Sequence, residues 1–194
     1  KEDWDVKPLS SYGKIVCGKT PPKNESRYFG GDIPFIKIPD MHGKTFIFES
    51  EDSLTREGQS FQKEKTLPPF SIIVSCIATV GLVALNVKEA QTNQQINSII
   101  PYKEEDRYFL YLQLKNMYEE LNTMASGGTA TLNLNTKNFS NISIACPNED
   151  TCHSFHRLVE PIFEKIYCNQ KQMITLARQR DMLLPKLMSN EITI

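Results

Sequence analysis

The side chains with most chemical capacity in this chain are amides, hydroxyls and lysines, and they gather in three stretches. The segment Thr92-Asn93-Gln94-Gln95-Ile96-Asn97 is dense in amides. An Asn or Gln amide can both donate to and accept from one adenine edge in the major groove. The segment from Ser126-Gly127-Gly128-Thr129 through Ala130-Thr131-Leu132-Asn133 to Asn135 combines small residues, which permit close approach, with hydroxyls and amides. Between Lys7 and Lys44 stand Lys7, Lys14, Lys19, Lys23, Arg27, Lys37 and Lys44 against Glu25, Asp32 and Asp40, so seven bases minus three acids leave +4. A patch of that size could neutralise a few phosphates. Each stretch also has a plainer reading, because amides close turns on their own backbone and scattered lysines are ordinary solvated surface. Whole-chain charge does not decide the matter, being −1 over 194 residues.

Catalytic constellations are poor by comparison. Leu67-Pro68-Pro69-Phe70 mimics an (Asp/Asn)-Pro-Pro-aromatic signature in which the first side chain accepts a hydrogen bond from a target amine and the aromatic stacks on a flipped base. Leu67 has no acceptor, so methyl transfer by this chain is not expected. Gly30-Gly31 and Gly127-Gly128 lack the surroundings of a nucleotide-binding turn. A Gly-x-Ser-x-Gly elbow is absent, and the three His are His42, His153 and His156. Cys146, Cys152, His153 and His156 are spaced wrongly for a zinc finger. No catalytic residue, metal or cofactor is expected. Five unpatterned cysteines (Cys17, Cys76, Cys146, Cys152, Cys168) suit a reducing cytoplasm better than a disulfide framework. No run approaches a membrane span. The opening Lys1-Glu2-Asp3-Trp4 is not an initiator start, so the chain is expected to be part of a longer product.

Two periodicities must position these groups. Residues 1–147 read as a mixed α/β domain with strands at Ile33–Ile38, Ile72–Ile77, Val80–Val87, Ile96–Ile100 and Phe139–Ala145. One helix is predicted from Asp106 as N-cap to Ala125, its core stripe being Leu110, Leu114, Met117, Leu121 and Met124. Residues 148–194 read as one long helix. There Phe155, Val159, Ile162, Ile166, Asn169, Met173, Leu176, Arg180, Leu183 and Leu187 alternate four- and three-residue steps, a sustained heptad. From Thr151 to Met188 it would span about 57 Å, longer than the domain is wide, so the stripe is expected to seek another helix. Asn169 at a core position could set the register of that pairing. Pro161 and Pro185 are expected to kink or restart the helix. The fold class is α+β: a mixed domain followed by a long coiled-coil-forming helix.

Several segments, in order, resemble the specificity subunit of type I restriction–modification systems. They are Trp4 with Pro8-Leu9, Gly18-Lys19-Thr20-Pro21, Ile33-Pro34-Phe35-Ile36-Lys37, Ile73-Val74-Ser75 leading to Thr79-Val80-Gly81, Thr92-Asn93-Gln94-Gln95, Ser126-Gly127-Gly128-Thr129 with Leu132-Asn133, and the close from Arg180 to Ser189. The resemblance implies a non-enzymatic target-recognition domain on double-stranded DNA, followed by a helix that pairs antiparallel with another. It further implies adenine-methylating (M) subunits held by the helices and a restriction (R) subunit joining that assembly. The chain carries one domain and one helix, so the partner helix would come from a second recognition half or from a homodimer. In that setting Lys14, Lys19, Lys23, Arg27, Lys37 and Lys44 are candidate phosphate ligands. Thr20, Asn24, Asn93, Gln94, Thr129, Thr131 and Asn133 are candidates to lie near bases. Val159, Ile162, Ile166, Asn169, Met173, Leu176, Leu183 and Leu187 are the candidate pairing residues. A protein-only adaptor is the alternative.

Overall fold

Apolar runs without a polar break build the centre of the molecule, in a computed structural model that describes residues 4–126, 132–189 and 191. The strands are β1 (Asp5–Pro8), β2 (Gly13–Cys17), β3 (Phe29–Ile36), β4 (Phe46–Ile47), β5 (Asp52–Leu54), β6 (Ile72–Ser75), β7 (Val83–Asn86), β8 (Gln91–Thr92), β9 (Ile96–Pro101) and β10 (Ser143–Cys146). The helices are α1 (Ile38–Met41), α2 (Arg56–Phe61), α3 (Asp106–Asn116), α4 (Tyr118–Ala125), α5 (Thr136–Ser140) and α6 (Glu149–Met188). A five-stranded sheet has the order β2-β9-β6-β7-β4, antiparallel except where β4 runs parallel to β7. A second sheet, β5-β3-β8, and the ribbon β1-β10 complete the sheets.

Side-chain alternation explains why the central strands are apolar on both faces. Ile72, Val74, Leu85 and Ile99 face a core shared with α3, α4, α5 and the start of α6. Ile73, Ala84, Val16 and Ile96 face the other way, onto Ile36, Ile38, Met41 and Leu67. Leu110, Leu114 and Leu121 of the predicted stripe are fully buried. The single predicted helix is two, α3 and α4, divided at Met117, and Met124 is exposed while Ala125 takes the inward position. Predicted strand limits also shift for local reasons. Ile38 begins α1, where Pro39 suits a first helical turn. Val80–Val87 shortens to β7 because Ala78 (φ 63°) and Gly81 (φ 92°) turn the chain first. Phe139 lies in α5, capped by the Asn135 side chain accepting from Asn138 N–H at 2.9 Å, and only β10 remains of that predicted strand.

Helix α6 runs unbroken for 40 residues through both prolines, so neither restarts it. That is about 60 Å at 1.5 Å per residue. Asn148 caps it, accepting from Thr151 N–H at 2.9 Å, with Glu149 and Asp150 in its first turn. Beyond Pro161 the helix is held by tertiary packing. Phe163 stacks on Tyr108 at 4.1 Å, Tyr167 meets Phe46 and Phe48, and Gln170 Oε1 accepts from Phe46 N–H at 3.0 Å. Contrary to the expectation of a wholly outward stripe, the first half of α6 belongs to the domain core. Val159 and Ile166 pack against it with Phe155 and Tyr167. At 100° per residue, Cys152, His156, Phe163 and Gln170 centre on a face about 115° from the one centred on Ile162, Asn169, Met173, Leu176, Leu183 and Leu187. Ile162, Met173, Leu176 and Leu183 are 59%, 67%, 53% and 42% exposed, Asn169 is exposed, and Leu187 is partly covered. The long helix therefore has two apolar faces. One is spent on its own domain and the other is open.

Candidate nucleic-acid interface

Strand directions decide which loops meet. β2 and β6 end, and β7 and β9 begin, at one end of the five-stranded sheet, so residues 18–25, 76–82, 93–95 and 132–135 gather there. Backbone bonds knit them together. Gly18 N–H donates to Ile96 O at 3.0 Å, Lys19 N–H to Thr92 O at 2.9 Å, Cys76 N–H to Gln95 O at 2.8 Å and Ala78 N–H to Leu132 O at 3.0 Å. Gly18 is required here, because a Cβ would sit 2.1 Å from Asn93 O. Thr79 N–H donates to Ile77 O at 2.8 Å across Ala78, an exposed γ-turn with a positive φ held between Gln95 and Leu132. Burial pushes the neighbouring Cys76 thiol up to about 11, which keeps it neutral.

The amide segment divides by burial. Thr92, Asn93 and Asn97 are buried and serve the fold. Asn93 Nδ2 donates to Gln95 Oε1 at 2.9 Å, and Asn97 Nδ2 donates to Leu134 O at 3.3 Å. Gln94 is exposed, and Thr20 Oγ1 donates to its Oε1 at 2.7 Å. Asn133 is exposed at the same end, and Asn24 is exposed on the neighbouring loop. Thr129 and Thr131 lie outside the described residues.

The basic candidates do not form one patch. Thr20, Lys23, Lys37 and Gln94 line a shared cleft of about 610 Å³ with Phe29, Phe35 and Asp52. Within it Lys37 is paired with Asp52. Lys19 leaves the same turn with its ammonium 6.0 Å from the Phe61 ring centre. Arg27 is tied to Glu25 and Glu57, each at 3.1 Å, and its charge is held by Glu57 first, then Tyr28 and Glu25. Lys14 sits opposite Ile100, toward the far end of β2, and Lys44 precedes β4 at the other edge of the sheet. A set drawn from a +4 stretch of sequence is thus dispersed, since strands carry successive residues away from each other.

Beneath these loops lies a buried amide network that no sequence motif announces. Gln62 Nε2 donates to Lys19 O at 2.7 Å and to Gln91 Oε1 at 2.8 Å. Gln91 Nε2 reaches Gln59 O at 3.0 Å, Gln62 O at 3.1 Å and Thr66 Oγ1 at 2.9 Å. These three glutamines tie α2 to β8 and to the Lys19 turn. Their signal in the sequence is slight: polar residues in a helix too short to show periodicity.

Other candidate sites have different chemistry. A cavity of about 780 Å³ at the opposite end of the sheet is lined by Lys7 and Lys103 against Asp5, Glu105, Asp106 and Glu149, an acidic balance unsuited to phosphate. Phe70 of the Pro-Pro motif lies under Arg107 at 4.9 Å, packed rather than presented. Among the described residues no group of three or more His, Cys, Asp or Glu could hold a metal, and no helix is long and apolar enough to cross a membrane.

The family pattern described as type I restriction modification DNA specificity domain matches residues 1–174. The chain is 50% identical over 191 residues to the HindI specificity subunit of Haemophilus influenzae, covering 97% of this chain and 42% of that protein. It is 30% identical over 206 residues to the MjaIX specificity subunit of Methanocaldococcus jannaschii, covering 98% and 45%. The solved HsdS subunit of Thermoanaerobacter tengcongensis has the same fold, with a TM-score of 0.61 at 18% identity over 94% of this chain and 44% of that one. The S subunit of M. genitalium does too, with a TM-score of 0.61 at 18% identity over 96% and 46%. The chain therefore spans less than half the length of the curated relatives it matches. A pattern match along nine-tenths of the chain, half-identity to one specificity subunit and a shared fold agree: the chain belongs to the type I restriction modification DNA specificity domain family.

Proposed function

We propose that residues 1–147 read one part of a split target in double-stranded DNA, and that residues 148–194 carry that reader to a fixed place beside a second one. The observation that carries this reading is the double-faced helix. α6 is welded to the domain along Val159, Phe163 and Tyr167, yet leaves Ile162, Met173, Leu176 and Leu183 open. A rigid arm with an uncovered seam converts the distance between two half-sites into a helix length. The second helix would belong to another recognition half or to a second copy of the chain. Catalysis would lie on adenine-methylating subunits gripped by the paired helices, with a restriction subunit joining the complex. Reading falls to the sheet end, where exposed Asn133 and Asn24 sit on a hydrogen-bonded frame beside Gln94 and Lys23.

The test is co-expression with methylating subunits and mapping of the methylated adenines. A bipartite motif is expected, and inserting four residues into α6 beyond Arg178 should change the tolerated gap and leave the half-site bases alone. Absence of sequence-specific adenine methylation in the assembled complex would refute recognition. A joint change of gap and bases would refute the division of labour.

A further inference from the structure

We propose that Gln94, oriented by Thr20, anchors a backbone phosphodiester of DNA rather than reading a base, with Lys23 supplying the adjacent positive charge. The inference rests on the recognition reading above and assigns one residue a role within it. An amide that reads adenine must offer a donor and an acceptor side by side. Here the acceptor already has a partner, because Thr20 Oγ1 donates to Gln94 Oε1 at 2.7 Å across 74 residues of chain and so fixes the amide's orientation. Among the described residues, what Gln94 leaves unpartnered is its NH2 group, two donors, beside an oxygen with one lone pair already engaged. Lys23 lines the same cleft, is exposed, and joins no ion pair among the described residues. Unpartnered donors beside a cation match an anionic, acceptor-only oxygen, which a phosphodiester supplies, better than an adenine edge, which also needs a free acceptor.

Rigidity points the same way. A backbone contact is useful when it fixes register, so its frame must not move. Asn93 and Gln95 lock each other on either side of Gln94, Asn93 Oδ1 accepting from Gln95 N–H at 3.1 Å. Thr20 stands on a turn pinned by the Lys19 N–H bond to Thr92 O and by Gln62 Nε2 on Lys19 O. Both halves of the clip are thus immobilised before DNA arrives.

The test uses the complex assembled with methylating subunits and two duplexes, one carrying the mapped site and one with that site scrambled. Gln94→Ala should weaken binding to both by the same factor, about fivefold. Lys23→Gln should lower the slope of log affinity against log salt by about one. Thr20→Val should follow Gln94→Ala while Thr20→Ser restores binding, and the melting temperatures and methylated motif should stay as in the parent. A changed motif, or loss confined to the specific duplex, would make Gln94 a base reader and overturn the inference. Unaltered affinity for both duplexes overturns it as well. If the unsubstituted complex binds neither duplex, recognition itself fails, an outcome plainly separate from the other two.

Discussion

Neighbouring residues of α6 should respond in opposite ways to truncation. Phe163 is 5% exposed, stacked on Tyr108 at 4.1 Å and edge-on to Tyr111 at 5.4 Å and Phe46 at 6.3 Å. Phe→Ala in a packed core costs about 3–5 kcal/mol, and three aromatic partners place this site near 4. For a chain of this size about 2–4 °C is lost per kcal/mol, so Phe163→Ala should melt about 8–16 °C below the parent. Ile162 is 59% exposed, and Ile162→Ser should change stability by less than about 0.5 kcal/mol. Self-association or pairing with a second recognition half should show the reverse order, lost with Ile162→Ser. Thermal denaturation by circular dichroism at micromolar concentration measures the first effect, and sedimentation at higher concentration the second. Equal losses of stability for the two variants would refute the assignment of the two faces. So would pairing that survives Ile162→Ser combined with Leu176→Ser.

Three further outcomes are expected. Ala78→Gly should raise the urea midpoint by the equivalent of about 0.5–1 kcal/mol, since the left-handed backbone at φ 63° costs alanine more than the added freedom of glycine; a fall would mean that the turn is unstrained. Gln91→Leu should cost about 3 kcal/mol in the same assay, because it removes the donor to Gln59 O, Gln62 O and Thr66 Oγ1 and leaves Gln62 Nε2 with Lys19 O alone. Burial raises the Asp106 carboxyl above its usual range, so the folded state holds that proton more tightly than the unfolded chain. Its stabilising contribution is complete in acid and is lost as pH rises through the folded value. Asp106→Asn should therefore melt above the parent at pH 7, the gap closing below the ordinary aspartate range.

Much of the fold was legible in the residues because burial leaves a period. Ile72-Ile73-Val74 read as a strand, Leu110, Leu114 and Leu121 as one buried helical stripe that the structure divides between α3 and α4, and the heptad from Phe155 to Leu187 as a long helix whose prolines are expected to kink or restart it. The family resemblance was carried by short segments whose order along the chain survives without any knowledge of their contacts. Tertiary structure alone decided how those segments are used. The heptad marked Val159, Ile162 and Ile166 alike as a seam, yet only a placed neighbour tells which of them is already taken, and the domain core took Val159 and Ile166. Charge counting made one group of Lys14, Lys23 and Lys44, but strand direction and sheet order separate residues that sequence sets side by side. Whether an amide is buried on backbone or left at the surface is settled by partners 37 and 74 residues distant, as between buried Asn97 and exposed Gln94. Local pattern records the solvent a residue must avoid, whereas function depends on which groups are left facing it.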